Sequence, residues 1–159
     1  MGAVDTLYYH EYKLKLATKV SSYKELRLHS IRDFIYAFTF LALAWSEWHG
    51  WFVILMVMFI CTETVITLLD FVEESLTRIT PPVERSMHAL MGIVFGIFLG
   101  QFFPELLKWW SLPTNIQFVN YGYLSWILSL MALGVFLSGV RDFGSSVSKK
   151  EWPQIWSKA

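Results

Sequence analysis

The sequence predicts an all-α membrane protein, a polytopic four-helix bundle of up-down-up-down topology. Three observations carry that expectation. The 159 residues are 55% hydrophobic and 18% aromatic, a more apolar composition than a soluble domain of this length needs. The apolar residues fall in separate runs, each close to the ~20 helical residues that cross ~30 Å of hydrocarbon. Breaks carrying Gly, Pro and Trp separate the runs, as the turns of an antiparallel bundle require.

The elements follow in order. Residues 1–22 are polar and Tyr-rich, with no apolar core of a secretory leader; they are expected to lie as an amphipathic segment on the headgroups. From Tyr23 the pattern is helical, and the bundle is expected over 23–143. Residues 31–48 form the first span, with its charged start continuing the same helix out of the membrane. The link His49-Gly50 is so short that the second span, 51–71, must run antiparallel to the first. Pro81 and Pro82 then break the chain, and Glu84 falls in a first helical turn, where a carboxylate suits the dipole. The third span, 87–103, carries Gly92, Gly96 and Gly100 at intervals of four, a seam along which helix backbones can approach closely. Pro104 is expected to end it, and 113–115 to be loop. The fourth span covers 119–140, Arg141-Asp142 closes it, and a polar tail fills 144–159. Cys61, the one cysteine, is expected to pack in the core.

Lys and Arg crowd the N-terminal flank, the middle loop and the tail, and nearly vanish from the other two loops. The positive-inside rule then puts both termini and the middle loop in the cytoplasm. Trp45, Trp48, Trp51, Trp109 and Trp110 form the opposite aromatic belt. There Glu47 and His49 read as an interfacial turn. Balanced charge, 13 basic against 13 acidic residues, leaves no nucleic-acid footprint.

Helical periodicity places the ionisable residues in stripes. Glu25, His29, Arg32 and Tyr36 share one face; Glu63, Thr67, Asp70 and Glu74 another; Glu84 and His88 a third. On the fourth helix Ser138 lies near Arg141 and Asp142, and the expected topology brings all four stripes to the cytoplasmic end. Glu63 lies seven residues inward of Asp70, ~10 Å deeper at 1.5 Å per residue, where a carboxylate must be protonated or paired. Two histidines among five carboxylates are a ligand set for zinc, iron or manganese. Glu25, His29, Glu63, Asp70, Glu74, Glu84 and His88, or a subset, are therefore the candidate metal ligands. The spacing is Glu-x-x-x-His, not the Glu-x-x-His of ferritin-like di-iron bundles. The plainer readings are snorkelling charges at span ends and a structural ion-pair network. No phosphate loop, nucleophile elbow, HExxH or CxxC is present, so no catalytic residue is assigned.

The stretches LRLHSIRDFIYAFTF, EWHGW and TETVITLLDFVEESLTRITPPVERSMH resemble a group of uncharacterised bacterial four-span proteins filed loosely with the DoxX-like proteins. The resemblance covers most of residues 25–100. It implies a bacterial inner-membrane protein and brings no activity or site residues. The expected function is divalent-metal binding in a membrane bundle. The alternatives are a non-enzymatic accessory or scaffold subunit of a larger membrane complex, such as a respiratory one, and a proton relay or small transporter centred on Glu63, which four spans would require to oligomerise; the expected partners are the lipid bilayer and either a homo-oligomer or a membrane complex.

Overall fold

The computed structural model describes residues 23–77, 79 and 81–150; the segment expected at 1–22, and 151–159 of the tail, lie outside the described residues. Four helices make up the described chain: α1 (Tyr23–Trp45), α2 (Phe52–Thr77), α3 (Pro82–Trp110) and α4 (Tyr123–Lys150). Three are long and apolar enough to cross a membrane: α2 over Phe52–Leu76, α3 throughout, and α4 over Tyr123–Val147. Their large apolar side chains, among them Met58, Leu69, Ile97 and Leu130, face outward. A lipid bilayer suits such a surface, because hydrocarbon replaces water as its solvent.

Between the helices stands an element that the periodicity does not announce. Ser46–Trp48 (β1) pairs antiparallel with Ile116–Phe118 (β2), Glu47 opposite Gln117. The first helix therefore stops at Trp45, and the fourth begins at Tyr123, not near Val119. Three-residue strands are too short for an alternating pattern to be read from sequence. The ribbon is pinned by Gly50, whose φ of +56° places it in the left-handed region, where residues other than glycine are strained. The Gly50 amide donates to the Trp109 carbonyl at 2.8 Å.

Two further boundaries differ from expectation. Pro104 lies inside α3, which continues to Trp110. A proline ring meets the carbonyl four residues back, here that of Gly100, and membrane helices accommodate such interruptions. At the other end α4 runs past Asp142 to Lys150. Pro81 and Pro82 do mark a helix start: Pro82 opens α3 in the first-turn position where its missing N–H costs nothing.

α1 is the packing centre. It lies along α4 through much of its length and against α2 beside it, whereas α3 approaches α2 closely at few places. Gly139 of α4 permits the first contact: a Cβ there would sit 3.0 Å from Phe34 and 3.2 Å from the Asp33 side chain. An aromatic core of Trp48, Val53, Met56, Phe102 and Trp109 joins the ribbon to α2 and α3. By contrast a Cβ on Gly92, Gly96 or Gly100 would meet nothing within 4 Å, so the seam on α3 packs no described helix. Cys61 is also exposed. It lies on the outward face of α2, not in the core, because its helical stripe is set by Glu63 and Asp70 pointing inward.

Candidate functional site

The end of the bundle away from the ribbon inverts the usual sorting of side chains. Its interior is polar. Glu25 is 1% exposed, His29 7%, Glu63 4%, Asp70 2%, Glu74 5% and Glu84 0%. Snorkelling residues would reach outward, so that reading fails for Glu25 and Glu84. His88 is half-buried, its side chain 15% exposed.

Each of three helices supplies a pair four residues apart, one above the other on a single face: Glu25 and His29 on α1, Asp70 and Glu74 on α2, Glu84 and His88 on α3. The α2 pair links the other two. His29 Nε2 stands 2.6 Å from Asp70 Oδ2, and His88 Nδ1 stands 3.5 Å from Glu74 Oε2. The His88 ring also stacks on Phe71, with centroids 5.0 Å apart and planes inclined by 18°, which fixes its orientation. Glu25 acts electrostatically on His29. Imidazoles from two helices thus meet neighbouring carboxylates on the helix between them.

Arg32 completes the α1 side. Its Nη1 donates to Asp70 Oδ2 at 2.9 Å, and its Nε lies 4.0 Å from Asp33 Oδ1. Deeper in the bundle Glu63 has separate company. The Thr67 hydroxyl donates to Glu63 Oε1 at 3.1 Å, and the Tyr36 phenol interacts with the same carboxylate. Arg32 also acts on Glu63 electrostatically. On the α4 side Asp142 is 3% exposed and accepts from Arg141 at 2.7 Å. Buried charges of this kind persist only when paired.

The seven expected ligands are therefore all drawn inward, but not to a single point. His29 meets Asp70 and His88 meets Glu74 as two pairs, with Glu25 acting on His29 and Glu84 buried on α3, whereas Glu63 keeps the company of Tyr36 and Thr67. Among the described residues, no three His, Cys, Asp or Glu side chains are grouped as the ligands of one ion. Helical spacing found the stripes, but it could not assign Arg32 to Asp70, because the partner lies 38 residues away. Asp33 was missed for a similar reason. Its signal is on α4, in the glycine that lets Asp33 approach.

At the opposite end the ribbon carries a smaller polar group. His49 Nε2 and Glu47 Oε2 are 2.9 Å apart, and the Tyr121 hydroxyl donates to Glu47 Oε1 at 2.9 Å. The His49 hydrogen bond, then that from Tyr121, holds the Glu47 carboxyl below its usual range. Partial burial and the Glu47 carboxylate push the Tyr121 phenol up to about 12. Glu47 and His49 sit where the sequence expects a turn, but Glu47 is in β1, and Tyr121 ties it to the segment before α4 from 74 residues away. Trp45, Trp48, Trp51, Trp109 and Trp110 gather around them, joined by ring contacts such as Trp51 on Trp110 at 5.3 Å.

Comparison with protein-family models, with curated proteins and with solved structures finds no match for this chain.

Proposed function

We propose that this is a small integral membrane protein that binds a divalent cation in the layer formed by Glu25, His29, Asp70, Glu74, Glu84 and His88. One observation carries the reading: three helices bury acid or imidazole pairs at the same end, and each histidine already touches a carboxylate of α2. Ligands around one metal, each ~2.1 Å from it, stand roughly 3 Å apart. The His29–Asp70 and His88–Glu74 separations, 2.6 and 3.5 Å, are ion-pair distances, so an ion entering the site has to draw the two pairs together. Carboxylate and imidazole donors suit zinc, iron or manganese. Glu63 is left out of the ligand set and stays with Thr67 and Tyr36.

The same proposal gives α1 a membrane span of its own, so that the four helices run up-down-up-down. The Lys and Arg distribution supports a cytoplasmic position for the metal layer and both termini, and the sequence resemblance supports a bacterial inner membrane. The test is metal analysis of the detergent-purified protein beside His88→Ala and Asp70→Asn. The proposal requires near-stoichiometric metal in the first and its loss in the variants; metal indifferent to both changes refutes it.

A second reading is favoured by the open glycine seam on α3: a scaffold or accessory subunit whose seam meets a partner helix. Extraction in mild detergent then yields a larger assembly that Gly96→Leu dissociates. A particle of unchanged mass in that variant counts against it.

A further inference from the structure

The β1–β2 ribbon ends in an open edge. The His49 N–H donates to the Asn115 carbonyl at 2.9 Å, and the Val119 N–H to that of Trp45 at 3.0 Å. An antiparallel ladder alternates bonded and non-bonded pairs. Glu47 and Gln117, paired midway between those two contacts, are therefore the next bonded pair, and Ile116 and Phe118 turn their N–H and C=O groups away from β1. Among the described residues nothing takes these two N–H groups, and all three residues of β2 are exposed. The Phe118 carbonyl accepts one long bond, 3.3 Å from Gln117 Nε2, which leaves it a second lone pair. We propose that this edge pairs with the β2 edge of a second copy of the chain. The inference concerns the end away from the buried acids and imidazoles, and it stands whether or not a cation binds there.

The strand is complementary to itself. Antiparallel pairing about a twofold axis at Gln117 sets Ile116 opposite the partner's Phe118, and Phe118 opposite the partner's Ile116. Each of these is a bonded pair that exchanges an N–H and a C=O, so every outward backbone group of the two residues is used. Ile116 and Phe118, 47% and 67% exposed, then cover one another across the strands, the contact that stabilises a sheet face. Natural edges are kept apart by charge or proline; residues 114–120, TNIQFVN, carry neither. Lipid tails covering these side chains would offer the backbone groups no hydrogen bond.

The same axis is one that a membrane permits. Trp48 is paired with Ile116 and shares its face of the ribbon. Its ring meets Phe38, well inside α1, edge-on at 5.9 Å, and packs with Val53, Met56, Phe102 and Trp109. Glu47 and Gln117 share the opposite face, which turns away from the helices. The ribbon therefore lies across the helix ends, and an axis perpendicular to it runs along the bundle. Two copies related by that axis stand side by side with like ends in the same leaflet. The continued ladder is an isologous interface, the commonest kind in homo-oligomers.

Cysteine cross-linking of the full chain in its membrane tests the register. Cys61, the one native cysteine, is first replaced by Ser. Gln117 and the partner's Gln117 form a non-bonded pair, with Cα atoms ~4.5 Å apart. Ile116 and the partner's Ile116 are offset by two residues along the strands, ~8 Å in all. Cα atoms beyond ~7 Å are not bridged, so Gln117→Cys should give roughly tenfold more disulfide-linked dimer on mild oxidation than Ile116→Cys or Phe118→Cys alone. Ile116→Cys and Phe118→Cys produced together should cross-link again. No dimer from Gln117→Cys, or equal yields at all three positions, overturns the pairing. Ile116→Pro supplies a second reading without thiols. It removes one outward N–H and sets a ring carbon in its place, while every β1–β2 bond is kept. The mass in mild detergent should fall from two chains to one with little change in the melt. A single chain in the unmodified protein, or a dimer that survives Ile116→Pro, refutes the inference. So does a dimer that only Gly96→Leu dissociates, which puts the interface on α3.

Discussion

Two groups of histidine and carboxylate lie at opposite ends of this molecule, and they are built differently. At the ribbon, Glu47 and His49 are two residues apart, bond each other, and remain partly open, their side chains 26% and 13% exposed. In the other group, the His29–Asp70 contact joins residues far apart in the chain, and the two side chains are 9% and 3% exposed. The first pair needs only a local turn. The second exists only if α1 and α2 dock, and docking removes it from water. The same residue types therefore do different work: one closes a loop, the other holds charge buried between helices.

The comparison breaks most easily at Asp70. Asp70→Asn removes the anion shared by Arg32 and His29, and breaking a buried ion pair by removing one partner costs about 3–5 kcal/mol. Thermal melting in detergent should show the largest loss of any variant here; a melt within a degree or two of the unmodified protein would mean that the pair is not buried as described. Gly50→Ala comes next. Its Cβ would clash with Thr114 Oγ1, and its positive φ adds strain of about 1–3 kcal/mol. That loss should be read at the ribbon by faster hydrogen exchange of the His49 and Val119 amides, both bonded across the turn.

Smaller effects belong to the exposed group. Tyr121→Phe removes one hydrogen bond to Glu47, a loss of about 0.5–1.5 kcal/mol at most and less at so open a site. The pH dependence has a definite sign. Glu47 ionises more readily folded than unfolded, so its contribution is present above the ordinary carboxylate pKa of 4.5 and is lost as pH falls through the lower folded value. Tyr121 behaves in the opposite sense: its contribution is complete below 10 and disappears as pH rises through about 12. Melting curves of Glu47→Gln should accordingly lose the acid-side slope that this residue supplies. Gly96→Ala should change the melt by no more than about 0.5 kcal/mol, since nothing stands within 4 Å of the added methyl. A larger loss would reveal a helix packed on that seam in the native assembly.

Much of the buried group was legible beforehand because it follows helical arithmetic. Glu63, Thr67, Asp70 and Glu74 repeat on one face, and an amphipathic stripe of acids in an otherwise apolar helix has to turn inward. Pro81 and Pro82 fixed the start of α3 for the reason that prolines usually do. Other features escaped because their causes lie far along the chain. The β1–β2 ribbon depends on pairing across 70 residues, from Glu47 to Gln117. α3 continues through Pro104 to Trp109, which packs on Phe102 in a core shared with Trp48, a partner far along the chain. The division of the seven polar residues into a layer and a separate Glu63 pocket depends on Tyr36 and Arg32. Those side chains belong to the stripe, but their partners are chosen only by packing.

The account stands on the claim that the buried layer takes up a metal. The most direct measurement is the metal-to-protein ratio of the purified membrane protein, set beside that of His88→Ala, which deletes one imidazole at a half-buried position while leaving the Asp70 pair intact. The account predicts a ratio near an integer that collapses in the variant while the fold, followed by its melt, survives. An unmodified protein that carries only trace metal after equilibration with Zn²⁺, Fe²⁺ and Mn²⁺ would contradict it.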